Sequence, residues 1–283
     1  LSIDAVYTKD LQAMMVRNWG LNQPTGTLQG VDDRPVYTFG DKAVFEGLGF
    51  PLPVNGYVFT NTNVGQTINA TIQLQKKWGN GLFASLAYDY LDSKDASSIP
   101  AEISGDAFDR NPAFGSVNEP NLAYSRYGHK HRVIGSAYKK FSYGGGKYAT
   151  TVSMFFEYLQ GGRYSYTYSG DINGDGSGLN DLIYIPTETE LGEMNFVNDD
   201  QRTAYETFIQ QDDYLNANRG SYAGKYANLS PWYSNWDFRV LQDFNFNVAG
   251  KSNTIQLSMD VLNAGNMINS NWGVRQNPTN TQP

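Results

Sequence analysis

The sequence predicts an all-β fold: part of an antiparallel transmembrane β-barrel with long extracellular loops and a short helix inside one loop. Three observations predict it: segments in which apolar and polar residues alternate, tight turns separated by long polar segments, and aromatic residues at the segment ends. Side chains of a strand alternate between its two faces, so each segment has one apolar and one polar face. The alternative is a soluble β-sandwich whose apolar faces line an internal core.

The hairpin of residues 68–78 and 82–90 has the clearest alternation. Ile72 and Leu74 alternate with Thr and Gln, and the pattern resumes in phase at Leu82 and Leu86. Several segments run for about 13 residues, whereas strands of globular proteins have a mode of about 5–6 and a membrane strand needs about 9–11. Strands are predicted at 1–9, 11–19, 55–63, 66–78, 82–94, 130–142, 147–160, 232–248 and 252–264, with a further strand starting near 270.

The connections between these segments alternate between short and long. Glycine-containing turns are predicted at 79–81, 143–146 and 249–251, and long polar segments at 20–54, 95–129 and 161–231. Short periplasmic turns and long extracellular loops are typical of outer-membrane barrels, whereas loops above about 12–15 residues are uncommon in compact domains.

The longest loop contains one helical pattern, at residues 201–211. Asn198, Asp199 and Asp200 precede it. These side chains suit a helix amino terminus because they cap free N–H groups and meet the positive end of the helix dipole.

Composition narrows the possible partners. The net charge is −7, which argues against a nucleic-acid partner because phosphate neutralisation needs a basic surface. The chain has no cysteine, which excludes thiolate metal sites and cysteine catalysis. The apolar strand faces predict membrane lipid as a partner. The chain begins inside a strand pattern and without methionine, which indicates a piece of a longer protein.

Catalytic motifs are not evident in the sequence. It contains no nucleophile elbow, no P-loop and no Gly-x-Gly-x-x-Gly pattern after a strand. The acidic pairs at 199–200 and 212–213 are interpreted as charged loop residues in contact with solvent, not as a general acid–base pair. Together with the lack of catalytic motifs, this predicts a protein that is not an enzyme.

One loop has the spacing of a calcium-binding segment. Oxygen-bearing side chains alternate along it and a glycine follows at Gly176, as at the start of a calcium loop. The twelfth position, where a bidentate Glu is expected, is Leu182. The alternative is a turn without metal, since Asp, Asn and Gly favour turns. The predicted ligands of a structural Ca²⁺ are Asp171, Asn173, Asp175, Ser177 and Asp181.

The two histidines, His129 and His131, lie two residues apart. On one strand they would share a face and could both ligate a metal. The alternative, which the absence of further ligands nearby favours, is a loop-to-strand junction near the outer rim.

The calcium-like loop lies in residues 169–186 (SGDINGDGSGLNDLIYIP), and this segment resembles the carboxy-terminal barrel region of TonB-dependent outer-membrane receptors of the Oar-like, carboxypeptidase-regulatory-like type. Further segments are similar to the same family. They are 23–28 with 33–37, 124–125 with 131–134, 208–209 with 214–215 and 219–220, 231–232 with 237–239 and 242–244, and 260–273 (DVLNAGNMINSNWG).

The resemblance implies a barrel of about 22 strands that imports a ligand across the outer membrane of a Gram-negative bacterium. Residues 1–283 would be a carboxy-terminal part of that barrel, without its plug domain. The implied partners are the rest of the barrel, the plug and, through the plug, TonB. The alternative is a barrel that docks a surface protein or lipoprotein for a secretion or adhesion machine without import; a soluble carbohydrate-binding sandwich is a third possibility.

Ligand recognition in such a receptor falls to loop side chains. Tyr164, Tyr166 and Tyr168 alternate on a strand-like extension and therefore share a face, so they are the predicted ligand-binding residues. The alternative is that these three rings pack against a neighbouring loop.

Overall fold

The computed structural model describes residues 1–278 and 281, and the architecture is all-β with a few short helices. The strands, in chain order, are β1 (Ser2–Lys9), β2 (Ala13–Asn18), β3 (Gly26–Thr27), β4 (Pro35–Val36), β5 (Val44–Phe45), β6 (Leu52–Pro53), β7 (Tyr57–Thr62), β8 (Gly65–Lys77), β9 (Leu82–Asp95), β10 (Ala123–Tyr124), β11 (His131–Tyr143), β12 (Tyr148–Leu159), β13 (Arg163–Tyr164), β14 (Tyr184–Ile185), β15 (Ser221–Tyr222), β16 (Asn228–Leu229), β17 (Tyr233–Val248) and β18 (Lys251–Val261).

The helices are short and lie outside the long strands. They are α1 (Ser104–Asp109), α2 (Glu188–Glu193), α3 (Asp199–Gln210), α4 (Asp213–Ala217) and α5 (Ala264–Ile268). No helix in the described part of the chain is both long and apolar enough to cross a membrane.

Seven long strands form one antiparallel sheet in the order β1-β8-β9-β11-β12-β17-β18, and β10 adds a short rung to the end of β9. The predicted strands at 1–9, 66–78, 82–94, 130–142, 147–160 and 232–248 are confirmed to within two residues at each end. The two outermost strands, β1 and β18, do not pair with each other among the described residues. The sheet therefore has two open edges, and its closure into a barrel remains a prediction.

The strand register separates an apolar face from a polar face. Ile72 lies opposite Tyr88, Tyr88 opposite Val133, and Val133 opposite Tyr158, so one apolar row crosses four strands. Paired residues point to the same side of a sheet. The predicted alternation of the 68–78 and 82–90 hairpin is confirmed by this register.

The opposite face of the sheet is polar and carries ion pairs between neighbouring strands. Asp89 accepts hydrogen bonds from Asn69 (2.9 Å) and Thr71 (2.6 Å). The cross-strand ion pairs on this face are Arg132–Glu157, Lys140–Asp243 and Arg239–Asp260.

The three hairpin turns lie at one end of the sheet, as the sequence predicts. In the turn between β17 and β18, Ala249 (φ 50°) and Gly250 (φ 76°) are both left-handed. Two consecutive positive φ angles form the turn whose twist matches a two-residue hairpin. The other two turns join β8 to β9 and β11 to β12.

The long connections lie at the other end of the sheet and pack together. We call residues 10–64 loop 1, residues 96–130 loop 2 and residues 160–232 loop 3, and the three together the loop layer. Buried apolar side chains are concentrated here, and within the sheet only Ala149 and Leu159 join them among the described residues. One cluster is built from loop 3 and contains Tyr166, Ile183, Ile185, Leu191, Tyr205, Ile209, Leu215 and Ala223. The second joins loops 1 and 2 and contains Val16, Leu21, Tyr37, Ala107, Phe108 and Val117.

The predicted loop helix is confirmed as α3. The Asn198 side chain accepts a hydrogen bond from the backbone N–H of Gln201 (2.8 Å), which is the predicted cap. Among the described residues, no strand starts near residue 270. Strand β18 ends at Val261, helix α5 follows, and the Trp272 N–H donates to the Asn269 carbonyl (2.9 Å) in a turn.

Candidate functional site

The segment 171–181 forms a tight loop held by carboxylate–amide hydrogen bonds. The Asp171 carboxylate accepts from the backbone N–H groups of Asp175 (3.0 Å) and Gly176 (2.9 Å), and Asp175 Oδ1 accepts from Ser177 N–H (2.8 Å). Gly176 has a φ angle of 94°, a backbone conformation that residues other than glycine rarely adopt. The local sequence thus folds as its Asp, Asn and Gly residues dictate, with side chains closing the turns.

The second oxygen of Asp175 faces two side-chain amides. Oδ2 accepts from Asn173 Nδ2 (3.2 Å) and from Asn180 Nδ2 (2.8 Å). Burial raises the pKa of Asp175 to about 7, although these donors oppose the shift. No Lys or Arg in the described part of the chain forms an ion pair with this carboxylate. The loop therefore contains a buried carboxylate without a cationic partner.

Asp181 has a different environment. Its Oδ1 accepts from Arg34 Nη1 (3.1 Å), and its Oδ2 accepts from the backbone N–H groups of Ile172 (2.9 Å) and Asn173 (3.3 Å). Burial raises the pKa of Asp181, although the Ile172 N–H and Arg34 oppose the shift. Asp181 thus fastens the loop to Arg34.

Arg34 of loop 1 is itself buried within loop 3. It forms an ion pair with Asp32 (2.8 Å) and donates to the carbonyl of Leu182 (2.7 Å). Burial alone would lower the pKa of Arg34, but Asp32 and Asp181 together raise it above its usual value. Removing one member of such a buried pair leaves an uncompensated charge.

All three loops meet at the 171–181 segment. Tyr37 of loop 1 donates its N–H to the carbonyl of Asn173 (2.7 Å), and Ala113 of loop 2 donates its N–H to the carbonyl of Asn180 (2.8 Å). Leu182, the predicted departure from the calcium pattern, is buried and donates its N–H to Ala113 (3.1 Å). Residues 171–181 of loop 3 therefore contact both of the other loops.

The five predicted metal ligands divide into two groups. Asp171, Asn173 and Asp175 are hydrogen-bonded to one another around the turn, Ser177 contributes its N–H to Asp175, and Asp181 is engaged by Arg34. In the described part of the chain, no three His, Cys, Asp or Glu side chains form a group that could hold a metal ion. Any hard cation here would therefore use side-chain amide and backbone oxygens beside two carboxylates.

The three predicted ligand-binding tyrosines pack against the loop 3 core. Tyr166 is 5% exposed and donates its hydroxyl to Asp212 (2.6 Å), while its ring meets the edges of Tyr164 (5.5 Å between centroids) and Phe208 (5.6 Å). Burial and the Asp212 bond raise the pKa of Tyr166. Tyr166 thus packs within loop 3 itself, and ligand contact by these rings remains a prediction.

Tyr168 differs from the other two because it also lines a cavity of about 950 Å³ beside α3. Phe196, Tyr205 and Phe208 give this cavity aromatic walls, while Gln201 and Thr207 give it polar groups. Concave apolar surfaces with a few convergent polar groups are typical of ligand sites. The sequence pattern did not indicate this cavity, because residues 194–196 reach α3 only through the fold of loop 3.

The two histidines do not share a site. His131 Nδ1 bonds to the hydroxyl of Tyr88 (2.7 Å), whereas His129 Nδ1 bonds to the carbonyl of Gln160 (2.8 Å). This geometry fits the loop-to-strand junction that the sequence favours.

The roles of Arg34 and Asn180 were not predicted from the sequence. Arg34 is far from the loop in sequence, and nothing in its own segment indicates which carboxylates it meets. Asn180 carries a side-chain oxygen inside the predicted loop, but the calcium template assigns no ligand to its position.

Compared with family models, with curated proteins and with solved structures, the chain matches none.

Proposed function

We propose that this chain is a carboxy-terminal part of the barrel wall of a TonB-dependent receptor that imports a ligand across the outer membrane of a Gram-negative bacterium. One observation carries the proposal: the sheet has an exposed apolar face, while the buried cores lie in the loop layer. Leu74, Leu86 and Leu257 on that face are 58%, 49% and 60% exposed.

The size of the apolar face supports contact with lipid. Seven strands have six spacings of about 4.8 Å, and the apolar face extends about 33 Å along the strands. The product is a surface on the order of 900 Å². Soluble monomers rarely expose contiguous apolar patches above a few hundred Å². Lipid tails cover such a face without a protein partner.

Two aromatic bands bound this face. At the loop end, Trp232 stacks on Tyr158 (4.7 Å) and on His131 (5.9 Å); at the turn end, Tyr148 contacts Tyr143 (5.6 Å) and Phe244 (6.0 Å). Along β12 the bands are ten residues apart, about 33 Å of strand, or about 23 Å of depth at a tilt near 45°. Outer-membrane barrels carry an apolar band about 25 Å tall between aromatic girdles.

The charged residues on the apolar face lie near its margins. Lys76 sits over Trp78 (5.2 Å) and Lys139 over Phe141 (5.7 Å) at the turn end, and Asp92 pairs with Lys94 (3.7 Å) at the loop end. Long lysine side chains reach the membrane interface in this way.

The polar face suits a lumen. Its ion pairs and amide side chains would face water or a plug, whereas lipid would penalise them. The open edges of β1 and β18 would pair with the remaining strands of the wall. TonB would act through the plug, and loop 3, with Tyr164, Tyr166, Tyr168 and the cavity beside α3, would contact the ligand.

The test uses the complete protein in the cells that make it. We expect it in the outer-membrane fraction, with gel mobility that changes on heating, and we expect its gene to encode a plug and a TonB-contacting segment. Ligand uptake should stop when TonB is deleted. A complete gene product that remains in the soluble fraction would contradict the proposal.

A second function has support from the cavity beside α3. Its aromatic walls would also hold an apolar side chain of a surface protein or lipoprotein, in which case the barrel is a docking partner without import. A complete gene that encodes no plug, together with uptake unaffected by TonB deletion, would favour this function.

A further inference from the structure

We infer that the loop 171–181 binds one divalent cation of the calcium class through Asp171, Asn173, Asp175 and Asn180, with Asp181 acting as the anchor of the loop and not as a ligand. The inference is independent of import, because it concerns only the loop layer. It changes the ligand set that the sequence predicts: Ser177 and Asp181 are left out, and Asn180 is added.

The side-chain oxygen of Asn180 is the observation that points to a ligand. Asn180 is 1% exposed, and its Oδ1 has no hydrogen-bond partner, while the nitrogen of the same amide donates to Asp175 Oδ2 at 2.8 Å. An orphaned buried oxygen costs about 1–3 kcal/mol. This one belongs to an amide already held against the carboxylate cluster, and a hard cation would satisfy it.

The remaining oxygens of the loop have capacity for such an ion. A carboxylate has about four acceptor positions and an amide oxygen has two. Both oxygens of Asp171 accept one N–H each, and the Asn173 oxygen and Asp175 Oδ1 also accept one each. Each of these oxygens therefore keeps one acceptor position.

The charge balance also fits a divalent ion. Asp171 and Asp175 contribute two negative charges, and no Lys or Arg of the described residues forms an ion pair with either carboxylate. A dication would neutralise both carboxylates.

Asp181 cannot serve equally well. Its Oδ2 already accepts from two backbone N–H groups, and its Oδ1 accepts from Arg34, whose positive charge would repel a second cation. Two carboxylates are fewer than a tight calcium site uses, so we expect a dissociation constant of about 10⁻⁴–10⁻³ M.

Binding would fasten the three loops at one point. The carbonyl of Asn173 accepts from loop 1 and the carbonyl of Asn180 accepts from loop 2, so the side chains of both residues would be fixed by the ion while their backbones hold the neighbouring loops. Calcium binding would therefore stabilise the contacts among the three loops.

The test is a calcium titration of the whole protein by calorimetry, with Tb³⁺ luminescence as a second readout. The deciding variant is Asn180→Asp, which adds a third carboxylate to the site. We expect it to tighten calcium binding about tenfold, whereas Asp175→Asn should weaken binding at least tenfold. Asp213→Asn, an acid of α4 in the same loop, is the matched control and should change the dissociation constant less than twofold.

Two results would overturn the inference. One is the absence of saturable calcium or Tb³⁺ binding by the folded wild-type protein up to 10-fold above about 10⁻³ M. The other is weaker calcium binding by Asn180→Asp, because an added carboxylate beside Asp175 would then only repel it. The wild-type titration decides the question even where a variant fails to fold.

Discussion

A single arginine placed on either face of β9 distinguishes a lipid-facing sheet from a water-facing one. Leu86 points to the apolar face, and its neighbour Ser85 points to the polar face. We compare Leu86→Arg with Ser85→Arg, which share the strand, the introduced side chain and nearly the same depth.

The expected magnitude follows from the position of Leu86. It lies four residues from Leu82 at the turn end and four from Tyr90 at the loop end, about 13 Å of strand in each direction. Arginine at the midplane of the lipid face destabilises a barrel by about 2–4 kcal/mol. Ser85 lies opposite Ser136 and Gln75, which leave room and polar partners, so Ser85→Arg should change stability by about 0.5 kcal/mol or less.

The assay is urea unfolding of the complete protein in lipid vesicles, with heat-modifiable gel mobility as a second readout. We expect Leu86→Arg to lower the free energy of unfolding by about 2–4 kcal/mol and Ser85→Arg to change it little. Equal effects of the two variants, or a larger effect of Ser85→Arg, would refute the assignment of faces.

Three further predictions concern the turns and the loop layer. Ala249→Asn should stabilise the β17–β18 turn by about 0.5–1 kcal/mol in urea unfolding, because Asn tolerates the left-handed conformation of Ala249 better than Ala; Ala249→Val is the control that should destabilise it. Arg34→Met should cost about 3–5 kcal/mol of local stability, seen as faster hydrogen exchange in the loop layer, because Asp32 and Asp181 lose their buried cation; a change below about 1 kcal/mol would contradict the role given to this network. Without divalent cations, the Asp175 contribution to stability should be greatest below pH 3.8 and be lost as the pH rises towards about 7, because the folded state holds that proton more tightly than the unfolded chain; Asp175→Asn should therefore gain stability relative to the wild type between pH 5 and pH 7.5 in proteolysis of the loop layer.

The long strands were predictable because their signal is local. The period-two alternation at 68–78 and 82–90 fixes the face of each side chain and excludes a register shift by one residue, since such a shift would exchange the faces. The turns followed from glycines that adopt positive φ, such as Gly81 (φ 83°) and Gly250 (φ 76°). The cap of α3 was also local, because Asn198 bonds three residues along the chain.

The loop layer was not predictable because its contacts span the chain. Arg34 meets Asp181 across 147 residues, and no local pattern states which carboxylate an arginine will meet. The spacing of acidic and amide residues predicted the ligands of the 171–181 loop. That spacing could not show that Asp181 accepts a hydrogen bond from Arg34 of loop 1. Near the carboxy end, a strand was predicted to start near residue 270, whereas Met267 and Ile268 lie in helix α5.

The claim that the apolar face contacts lipid is tested most directly by measuring whether alternate residues of β12 face lipid or water in protein reconstituted into lipid vesicles. The chain has no cysteine, so single cysteines at Thr151, Val152, Ser153 and Met154 can each carry one fluorophore. We predict quenching by doxyl-labelled lipid at 152 and 154, and quenching by aqueous iodide at 151 and 153. Iodide quenching at 152 and 154, or no alternation, would contradict the claim that the apolar face contacts lipid.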